Sequence, residues 1–395
     1  MQYRTNPKNG DRLSQLGLGC LRFPRNGRKI NQEATNELVA AAIERGVNFF
    51  DTAYIYLGSE EALGKALAAC GKRDEVFIAT KLPHFICKKP DDFSKILNTQ
   101  LERLQTDYID YYFIHMLSNV ESWELMKSFG IEEWLSKERA AGKIRNVGFS
   151  FHGGRTSFIQ LLDVYPWEFC MVQYNYYDEH NQATVNGVRE AHSRGLPVFA
   201  MEPLRGGLLA DKLPDSAKRV LHRADKNLSP AEWALKWLFA QPEVTIALSG
   251  MSNVKELDEN ANLADICLPG VLSESERGAY KDAVAALKST VRIPCTACEY
   301  CIPCPVGVDI PACFAHYNES FSSGHVRAIS QYIKNTGMLS AKQGDASKCT
   351  GCKKCEENCP QDIKIANELR SVNRRMRTLF IKPLTAIARK VIRIR

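Results

Sequence analysis

The feature that most constrains the fold is an alternation of short apolar runs with longer amphipathic stretches, which continues from about Leu16 to Leu263. Apolar residues three and four positions apart, as in Gln32–Glu44 and Asp92–Leu104, are typical of helices that cover a core. Eight strand–helix units within roughly 250 residues match a (β/α)₈ barrel in number and in length. The predicted strands are Leu16–Leu21, Val47–Asp51, Val76–Thr80, Ile109–Ile114, Arg145–Phe149, Phe169–Gln173, Pro197–Met201 and Val244–Leu248.

An open, doubly wound sheet is the alternative arrangement of alternating strands and helices. Such sheets commonly carry a Gly-x-Gly-x-x-Gly turn after the first strand. The corresponding segment here, Gly17-Leu18-Gly19-Cys20-Leu21-Arg22, lacks that pattern. We therefore predict an α/β chain built on a TIM barrel, and the length of 395 residues leaves room for a second domain.

The 14 cysteines are distributed unevenly along the chain. Five are scattered singly before residue 290, whereas eight of the other nine form two tight clusters. The N-terminal residues lack the apolar core of a signal peptide, so we expect a cytoplasmic protein in a reducing compartment. Clustered cysteines in that compartment are typical of metal ligands rather than of disulfides.

The two clusters have the spacings Cys295-x₂-Cys298-x₂-Cys301-x₂-Cys304-Pro305 and Cys349-x₂-Cys352-x₂-Cys355-x₃-Cys359-Pro360. The second is the run of bacterial two-cluster ferredoxins, whose fourth cysteine binds the other cluster. By that crossing rule one [4Fe–4S] cluster is held by Cys295, Cys298, Cys301 and Cys359, and the other by Cys349, Cys352, Cys355 and Cys304. Zinc is the alternative for Cys-x₂-Cys pairs, but it does not need a third and a fourth cysteine followed by proline in both motifs.

The helical patterning between the two motifs resembles the mainly helical two-cluster domains of respiratory iron–sulfur subunits. Cys313 lies outside both motifs, and we expect it to pack in the core. The predicted organisation is a barrel over 1–270, a bridging helix within 271–292, a ferredoxin-like domain over 293–368 and a tail over 369–395.

The net charge of +7 belongs to the C-terminal end. Nine Lys or Arg and no acidic residue lie between Arg370 and Arg395, leaving 43 basic and 45 acidic residues elsewhere. This balance gives no case for nucleic-acid binding by the folded part. The segment Thr378–Arg395 has the pattern of a basic amphipathic helix. It either packs back on the protein or docks peripherally on an anionic membrane or an acidic partner.

Four polar side chains follow the ends of predicted strands, where the catalytic groups of a barrel lie. Asp51 and Tyr56 follow the second strand, Lys81 ends the third and His115 ends the fourth. Hydride transfer to a carbonyl carbon leaves negative charge on oxygen, so a proton donor must lie beside that oxygen. A phenol is a poor donor at neutral pH unless a nearby ammonium lowers its pKa. These four side chains together therefore suit the reduction of a carbonyl group.

The segments around these side chains resemble the aldo/keto reductase family. The similarity is carried by Asn48-Phe49-Phe50-Asp51-Thr52-Ala53-Tyr54-Ile55-Tyr56, by Gly58-Ser59-Glu60, by Ala79-Thr80-Lys81 and by Tyr111-Tyr112-Phe113-Ile114-His115. The resemblance implies that Tyr56 is the general acid, that Lys81 lowers its pKa while paired to Asp51, and that His115 orients the carbonyl oxygen. Tyr54 is the rival phenol, but the family's spacing points to Tyr56.

The same resemblance implies a nicotinamide cofactor. At its nicotinamide end it assigns Ser150, Gln173 and Asn175. Its pyrophosphate loop corresponds to Met201–Leu209, with Pro203, Leu204, Gly206 and Gly207. Its adenosine end corresponds to Gly250, Ser252, Glu256, Glu259 and Asn260.

The choice between NADPH and NADH is not settled by these residues. NADP-specific relatives place a basic residue where this chain has Glu256, and a carboxylate repels a 2′-phosphate. Lys255 and Arg205 are the possible substitutes, and we expect NADPH.

The sequence predicts a reductase of small carbonyl substrates fused to an electron-carrying module. Hydride carries two electrons and a [4Fe–4S] cluster accepts one, so a flavin or a redox partner (a flavoprotein or a ferredoxin) is expected between them. The alternative is an electron-transfer or redox-sensing adaptor, whose barrel docks partners or a flavin with little reductase activity. Phe85, Trp123 and Tyr177 are candidates for lining the substrate pocket.

Overall fold

The computed structural model describes residues 1–376 except 28, 154, 323–324 and 337–343. The described chain divides into two compact units. The first contains Met1–Leu204 and Leu228–Ser273, and the second contains Arg205–Asn227 and the residues from Glu274 onwards. No described helix is both long and apolar enough to cross a membrane.

Eight parallel strands of the first unit close into a barrel, and their order around the barrel is their order along the chain. The predicted TIM barrel is therefore confirmed. The strands are β1 (Leu16–Gly19), β2 (Phe49–Asp51), β3 (Phe77–Leu82), β4 (Ile109–Leu117), β5 (Ile144–Phe151), β6 (Phe169–Gln173), β7 (Val198–Met201) and β8 (Val244–Ser249).

Helices follow the strands and present their apolar stripes to the barrel. Local signals set several of their ends: the side chain of Asn31 caps the helix Gln32–Glu44, and a capping box between Ser229 and Glu232 opens the helix Pro230–Phe239. The helices of this unit are α1 (Gln32–Glu44), α2 (Ser59–Cys70), α3 (Pro90–Leu104), α4 (Val120–Ser128), α5 (Ile131–Ala140), α6 (Arg155–Leu161), α7 (Thr184–Ser193), α9 (Pro230–Phe239) and α10 (Val254–Ile266).

Aromatic rings fill the interior of the barrel. The rings of Phe169 and Phe199 stack with their centroids 5.5 Å apart. Tyr111 packs edge-on against Phe49 and Phe169. This filled interior leaves the carboxyl ends of the strands as the place where polar side chains can meet a ligand.

The second unit is mainly helical, as predicted. Its helices are α8 (Asp215–Ala224), α11 (Glu274–Thr290), α12 (Ile310–Ser322), α13 (His325–Asn335), α14 (Lys354–Glu357) and α15 (Ile365–Met376). A buried core of apolar residues includes Cys313, and six of the eight clustered cysteines pack against it.

The compact units differ from the predicted boundaries in two places. Residues Arg205–Asn227 join the second unit, because α8 packs against α11, which is the predicted bridging helix. The predicted boundary after residue 368 falls within α15, whose buried residues Leu369 and Val372 continue the core of that unit. The predicted tail helix, Thr378–Arg395, lies outside the described residues.

Candidate active site and iron–sulfur region

Lys81 is almost completely buried near the end of β3. Its ammonium donates a hydrogen bond of 2.6 Å to the carboxylate of Asp51 and one of 2.7 Å to the carbonyl of Thr52. Burial lowers the pKa of Lys81 and raises the pKa of Asp51, because water no longer solvates either charge. Their attraction opposes both shifts. The site therefore holds an ammonium that loses its proton more readily than an ordinary lysine.

The half-buried Tyr56 ring lies beside this ion pair. Nζ of Lys81 is 4.9 Å from the centroid of the Tyr56 ring, and the His115 ring is 6.1 Å from it, edge-on. The rival Tyr54 packs instead under the guanidinium of Arg103, 4.7 Å from its ring centroid. The structure thus brings Tyr56, rather than Tyr54, next to Lys81 and His115.

His115 is one of three histidines near the ion pair whose pKa values are lowered. Burial is the main cause for each, and it brings the pKa of His152 to about 4. Nδ1 of His84 donates a hydrogen bond of 2.7 Å to the carbonyl of His115. The three imidazoles are neutral at physiological pH, so they can orient a substrate by hydrogen bonding but add no charge to the site.

A buried polar network lies behind Lys81, and the sequence analysis did not assign it. Glu60 accepts hydrogen bonds from Thr80 (2.6 Å), Gln100 (3.1 Å) and Arg103 (3.0 Å). Gln100 also donates to the carbonyl of Lys81. Glu60 belongs to the Gly58-Ser59-Glu60 segment that resembles the family. The sequence pattern does not show that side chains from β3 and α3 would meet Glu60, which lies on α2.

Two of the predicted pocket residues have different surroundings. The ring of Phe85 lies 6.3 Å from that of His115 and is half exposed. Trp123 is fully buried against Tyr165 and Trp167, with ring centroids 5.2 and 4.9 Å away. The prediction that Trp123 lines the pocket is therefore wrong, because its apolar surface packs against these two rings and is not accessible to a substrate.

The residues predicted at the nicotinamide end lie at the carboxyl ends of β5 and β6: Ser150 is near the end of β5, Gln173 ends β6 and Asn175 follows it. The hydroxyl of Ser150 accepts a hydrogen bond of 2.9 Å from the Met116 amide. The amide of Gln173 donates to Asp178 (2.8 Å) and accepts from Gln182 (3.0 Å). Sequence reasoning missed Asp178 and Gln182, which hold Gln173 in place.

Asn175 is fully buried and bonds within its own loop. Its side-chain nitrogen donates to Asp178 and to the carbonyl of Glu202, and its oxygen accepts from the amides of Tyr177 and Asp178. Both amide hydrogens are thus in use, and a contact with a ligand would have to replace one of these bonds.

The predicted adenosine-end residues lie after β8. The carboxylate of Glu256 accepts hydrogen bonds from the amide and hydroxyl of Ser252, which close the first turn of α10. Asn260 is buried and donates to Ser249, whereas Glu259 lies 3.9 Å from Lys255 in an exposed pair.

Arg22 is an exposed cation at this place that the sequence analysis did not single out. A methyl group at Gly250 would lie 2.7 Å from Cγ of Arg22, so only glycine lets the arginine stem pass. Arg205, one of the two substitutes considered for binding a 2′-phosphate, is instead buried and donates to the carbonyl of Pro294.

The predicted pyrophosphate loop continues through Pro203 and Leu204 into the glycines. Gly206 and Gly207 both have positive φ, of 62° and 87°. A methyl group at Gly206 would lie 2.0 Å from the carbonyl oxygen of Thr296, inside the first cysteine motif. Lys212 donates to the carbonyl of Gly206 and brings a cation to this loop. The loop and the first cysteine motif are thus in direct contact within the second unit.

Cys301 and Cys355 each have neighbouring thiols from both motifs. Burial is the main cause that raises the pKa of Cys301, and the charges that raise it further are those of Cys295, Cys298 and Cys359. Burial likewise raises the pKa of Cys355 to about 11, with added contributions from Cys304 and Cys349. Within the described residues, no three possible ligands converge closely enough for a single metal ion. The donor set, thiols of both motifs in two mixed groups, fits two multi-iron clusters.

Family comparisons agree with the geometry of both units. Residues 15–270 match the aldo/keto reductase family, and residues 294–364 match the 4Fe-4S dicluster domain. The NADP(+) aldo-keto reductase yakc of Schizosaccharomyces pombe is 26% identical over 322 residues, which cover 72% of this chain and 93% of the relative. L-galactose dehydrogenase of Arabidopsis thaliana is 28% identical, covering 66% of this chain and 87% of the relative.

Solved structures show the same barrel. A thermostable aldo-keto reductase, Tm1743, in complex with the inhibitor epalrestat has a TM-score of 0.58 at 28% identity, covering 72% of this chain and 100% of that one. An aldo-keto reductase from Klebsiella pneumoniae in complex with NADPH has a TM-score of 0.57 at 24% identity, covering 71% and 94% of the two chains, and shows the fold alone. Together with the family models, these findings establish that the chain belongs to the aldo/keto reductase family and ends in a ferredoxin-type domain of the 4Fe-4S dicluster class.

Proposed function

We propose that the barrel reduces a small carbonyl substrate with NADPH, and that Asp51, Tyr56, Lys81 and His115 carry the proton chemistry. The observation that carries this proposal is the buried ammonium of Lys81, fixed 2.6 Å from Asp51 and 4.9 Å from the Tyr56 ring. Burial of the Lys81 ammonium costs free energy. Its proximity to Tyr56, a phenol that must release its proton, would explain why the charge is there.

Each of the four residues has a separate task. The bound cofactor supplies the hydride. Tyr56 holds the proton that the carbonyl oxygen receives, and the ammonium of Lys81 stabilises the phenolate that remains. Asp51 keeps Lys81 charged and in place. His115, neutral because burial lowers its pKa, donates a hydrogen bond to the carbonyl oxygen.

Three groups of residues support NADPH as the cofactor, by resemblance to the family and by their placement. We assign Ser150 and Gln173 to the nicotinamide amide, and the backbone of Gly206 and Gly207, beside Lys212, to the diphosphate. We assign the segment Gly250–Asn260 to the adenosine end. The NADP(+) relative from Schizosaccharomyces pombe favours the phosphorylated cofactor.

We further propose two [4Fe–4S] clusters with exchanged fourth ligands. Cys359 joins the first three cysteines of the first motif, and Cys304 joins those of the second, as the electrostatic neighbours of Cys301 and Cys355 support. Bound clusters would carry single electrons, whereas nicotinamide exchanges two at once as hydride. We therefore place a flavin or a redox partner, a flavoprotein or a ferredoxin, between the two chemistries.

Replacement of the phenol tests the assignment. We expect Tyr56→Phe to lower kcat for carbonyl reduction by a factor of about 10² or more, as loss of a general acid does. The Kd for NADPH, measured by fluorescence titration, should stay unchanged because the phenol faces the substrate.

The matched control is Tyr54→Phe, which removes the rival hydroxyl and keeps the ring under Arg103. Near-normal turnover of Tyr56→Phe, or a comparable loss in Tyr54→Phe, would reject the assignment of Tyr56. NADPH binding without any carbonyl reduction by the unmodified protein would instead favour the adaptor.

A further inference from the structure

A pocket in the second unit combines cations with aromatic rings and belongs to neither proposed redox site. Its volume is about 420 Å³. It lies where α12, the start of α13 and the end of α15 meet. Its lining residues are Tyr317, Phe321, His325, Ser371, Arg374 and Arg375.

One of the two arginines of this pocket, Arg375, is held in place by its neighbours. The guanidinium of Arg375 lies 3.8 Å from the centroid of the Phe321 ring and donates to the hydroxyl and carbonyl of Ser320, at 2.6 and 3.1 Å. Arg374 is exposed beside it. No acidic side chain lines the pocket, and no described carboxylate forms an ion pair with either arginine. A fixed guanidinium group, Arg375, beside a second, exposed one, Arg374, favours an anion with several acceptor oxygens, such as a phosphate.

His325 adds a second, independent feature. Its Nδ1 is buried and has no hydrogen-bond partner among the described residues. A buried polar atom in this condition is costly unless a ligand or water meets it. His325 also opens α13, whose N-terminal end carries the positive end of the helix dipole. Both features complement a negative charge in the pocket.

The aromatic rings and the following sequence indicate where the phosphate comes from. Tyr317 and Phe321 pack edge-on with centroids 5.2 Å apart, forming an apolar wall next to the guanidinium groups. Helix α15 is described as far as Met376, and the sequence continues into the basic segment with regularly spaced apolar residues, for which docking on an anionic membrane was one of the predicted alternatives. Aromatic side chains next to arginines are typical of the level of lipid headgroups.

We propose that this pocket binds the phosphate of an anionic phospholipid headgroup, with Arg374, Arg375 and His325 around the phosphate and the two rings against the glycerol. The pocket would hold the second unit at a membrane surface through a specific lipid contact. This is independent of the carbonyl reduction proposed above.

The test uses the full-length, cluster-loaded protein and a short-chain phosphatidylglycerol below its micelle concentration, titrated by calorimetry. We expect saturable binding to the unmodified protein. Arg374→Gln should weaken that binding about tenfold, as loss of a charged hydrogen bond does.

The control is Arg370→Gln, which removes the same charge from the same helix. Arg370 is exposed, bonds to Asn367 and lies outside the pocket, so its loss should leave the affinity nearly unchanged. Equal effects of the two variants would show only general attraction to a basic surface and overturn the proposal.

Two further measurements distinguish a phospholipid from other compounds that carry a phosphate. Inorganic phosphate that binds as tightly as the lipid, or a mononucleotide such as FMN that binds more tightly, would overturn the lipid assignment. Vesicles of phosphatidylcholine with phosphatidylglycerol should retain the unmodified protein better than Arg374→Gln in flotation, and vesicles of phosphatidylcholine alone should retain neither. No difference between the two proteins on the anionic vesicles would also count against the pocket.

Discussion

Lys81 has almost no contact with water, and two acceptors compensate its charge: the carboxylate of Asp51 and the carbonyl of Thr52. Removal of one partner of such a buried pair leaves an uncompensated charge and costs about 3–5 kcal/mol. The pair is nevertheless poor evidence for stabilisation of the fold, because the cost of removing both charges from water can exceed their attraction. It is better explained by the phenol of Tyr56, because an ammonium in a dry site acts strongly on a neighbouring group that ionises.

Arg22 is the residue at which we expect the choice of cofactor to be made. Its stem passes over Gly250, whereas Arg205 is buried and the carboxylate of Glu256 is engaged by Ser252. We expect Arg22→Gln to raise the Kd for NADPH about tenfold and to leave the Kd for NADH nearly unchanged, because only NADPH carries the 2′-phosphate.

Fluorescence titration with both cofactors measures this difference. Lys255→Gln is the control, since Lys255 is an exposed cation of the same region that is paired with Glu259. Equal weakening of NADPH and NADH binding by Arg22→Gln would show that Arg22 does not bind the 2′-phosphate.

At the scale of elements, three of them hold the backbone around Lys81 in place. Glu60 on α2 accepts from Thr80 on β3 and from Gln100 and Arg103 on α3. Arg103 also donates to the carbonyl of Tyr54, in the loop that carries Tyr56. A satisfied buried network of this kind makes the position of the loop depend on the packing of the helices.

The pH dependence of turnover should report this network. The negative charge of Glu60 raises the pKa of Lys81, so Glu60→Gln should lower that pKa further. In the proposed mechanism Lys81 must be protonated to stabilise the phenolate, so loss of its proton should limit the rate at alkaline pH. We therefore expect the alkaline limb of the kcat profile to move to lower pH in Glu60→Gln.

The comparison variant is Glu61→Gln. Glu61 also lies 3.0 Å from Arg103, but its side chain is 42% exposed, so solvent screens its charge more than that of the buried Glu60. Its profile should match that of the unmodified protein. An unmoved alkaline limb in Glu60→Gln, with normal thermal unfolding, would contradict an electrostatic role for Glu60.

On the scale of the whole molecule, the loop after β7 folds with the iron–sulfur unit rather than with the barrel. Gly206 lies against the carbonyl of Thr296, which stands between two predicted cluster ligands, Cys295 and Cys298. A change of shape in the loop assigned to the cofactor diphosphate should therefore also move the loop predicted to hold the first cluster.

Gly206→Ala should disturb the first cluster. Its methyl group would meet the Thr296 carbonyl at 2.0 Å, so the ligand loop must move. Protein purified without oxygen should contain about eight irons and eight acid-labile sulfides per chain, as two [4Fe–4S] clusters require. We expect fewer in Gly206→Ala, measured by iron and sulfide assays.

Gly207→Ala separates this contact from backbone strain. Gly207 also has positive φ, so alanine there carries a similar conformational cost of about 1 kcal/mol, but its surroundings can accommodate a methyl group. Equal iron contents in the two variants would show that strain, and not the contact with Thr296, is responsible. Zinc in place of iron in the unmodified protein would reject the clusters themselves.

Local patterns in the sequence were sufficient to predict the barrel, its family and the presence of an iron–sulfur domain. The periodicity of apolar residues depends on neighbours in the chain, and the spacing of the cysteines in each motif reflects the reach of a single turn. For the same reason the sequence could point to Asp51, Tyr56, Lys81 and His115, which follow consecutive strands of a barrel.

Only the tertiary structure showed which side chains from distant segments lie together. Glu60 meets Gln100, Arg22 passes over Gly250, Gly206 lies against Thr296, and Trp123 is buried among rings rather than in a pocket. These contacts depend on how helices and loops pack, and many combinations of side chains fill the same space. A pattern along the chain therefore identifies the strand that carries a catalytic group, whereas packing decides what surrounds that group and how strongly it is charged.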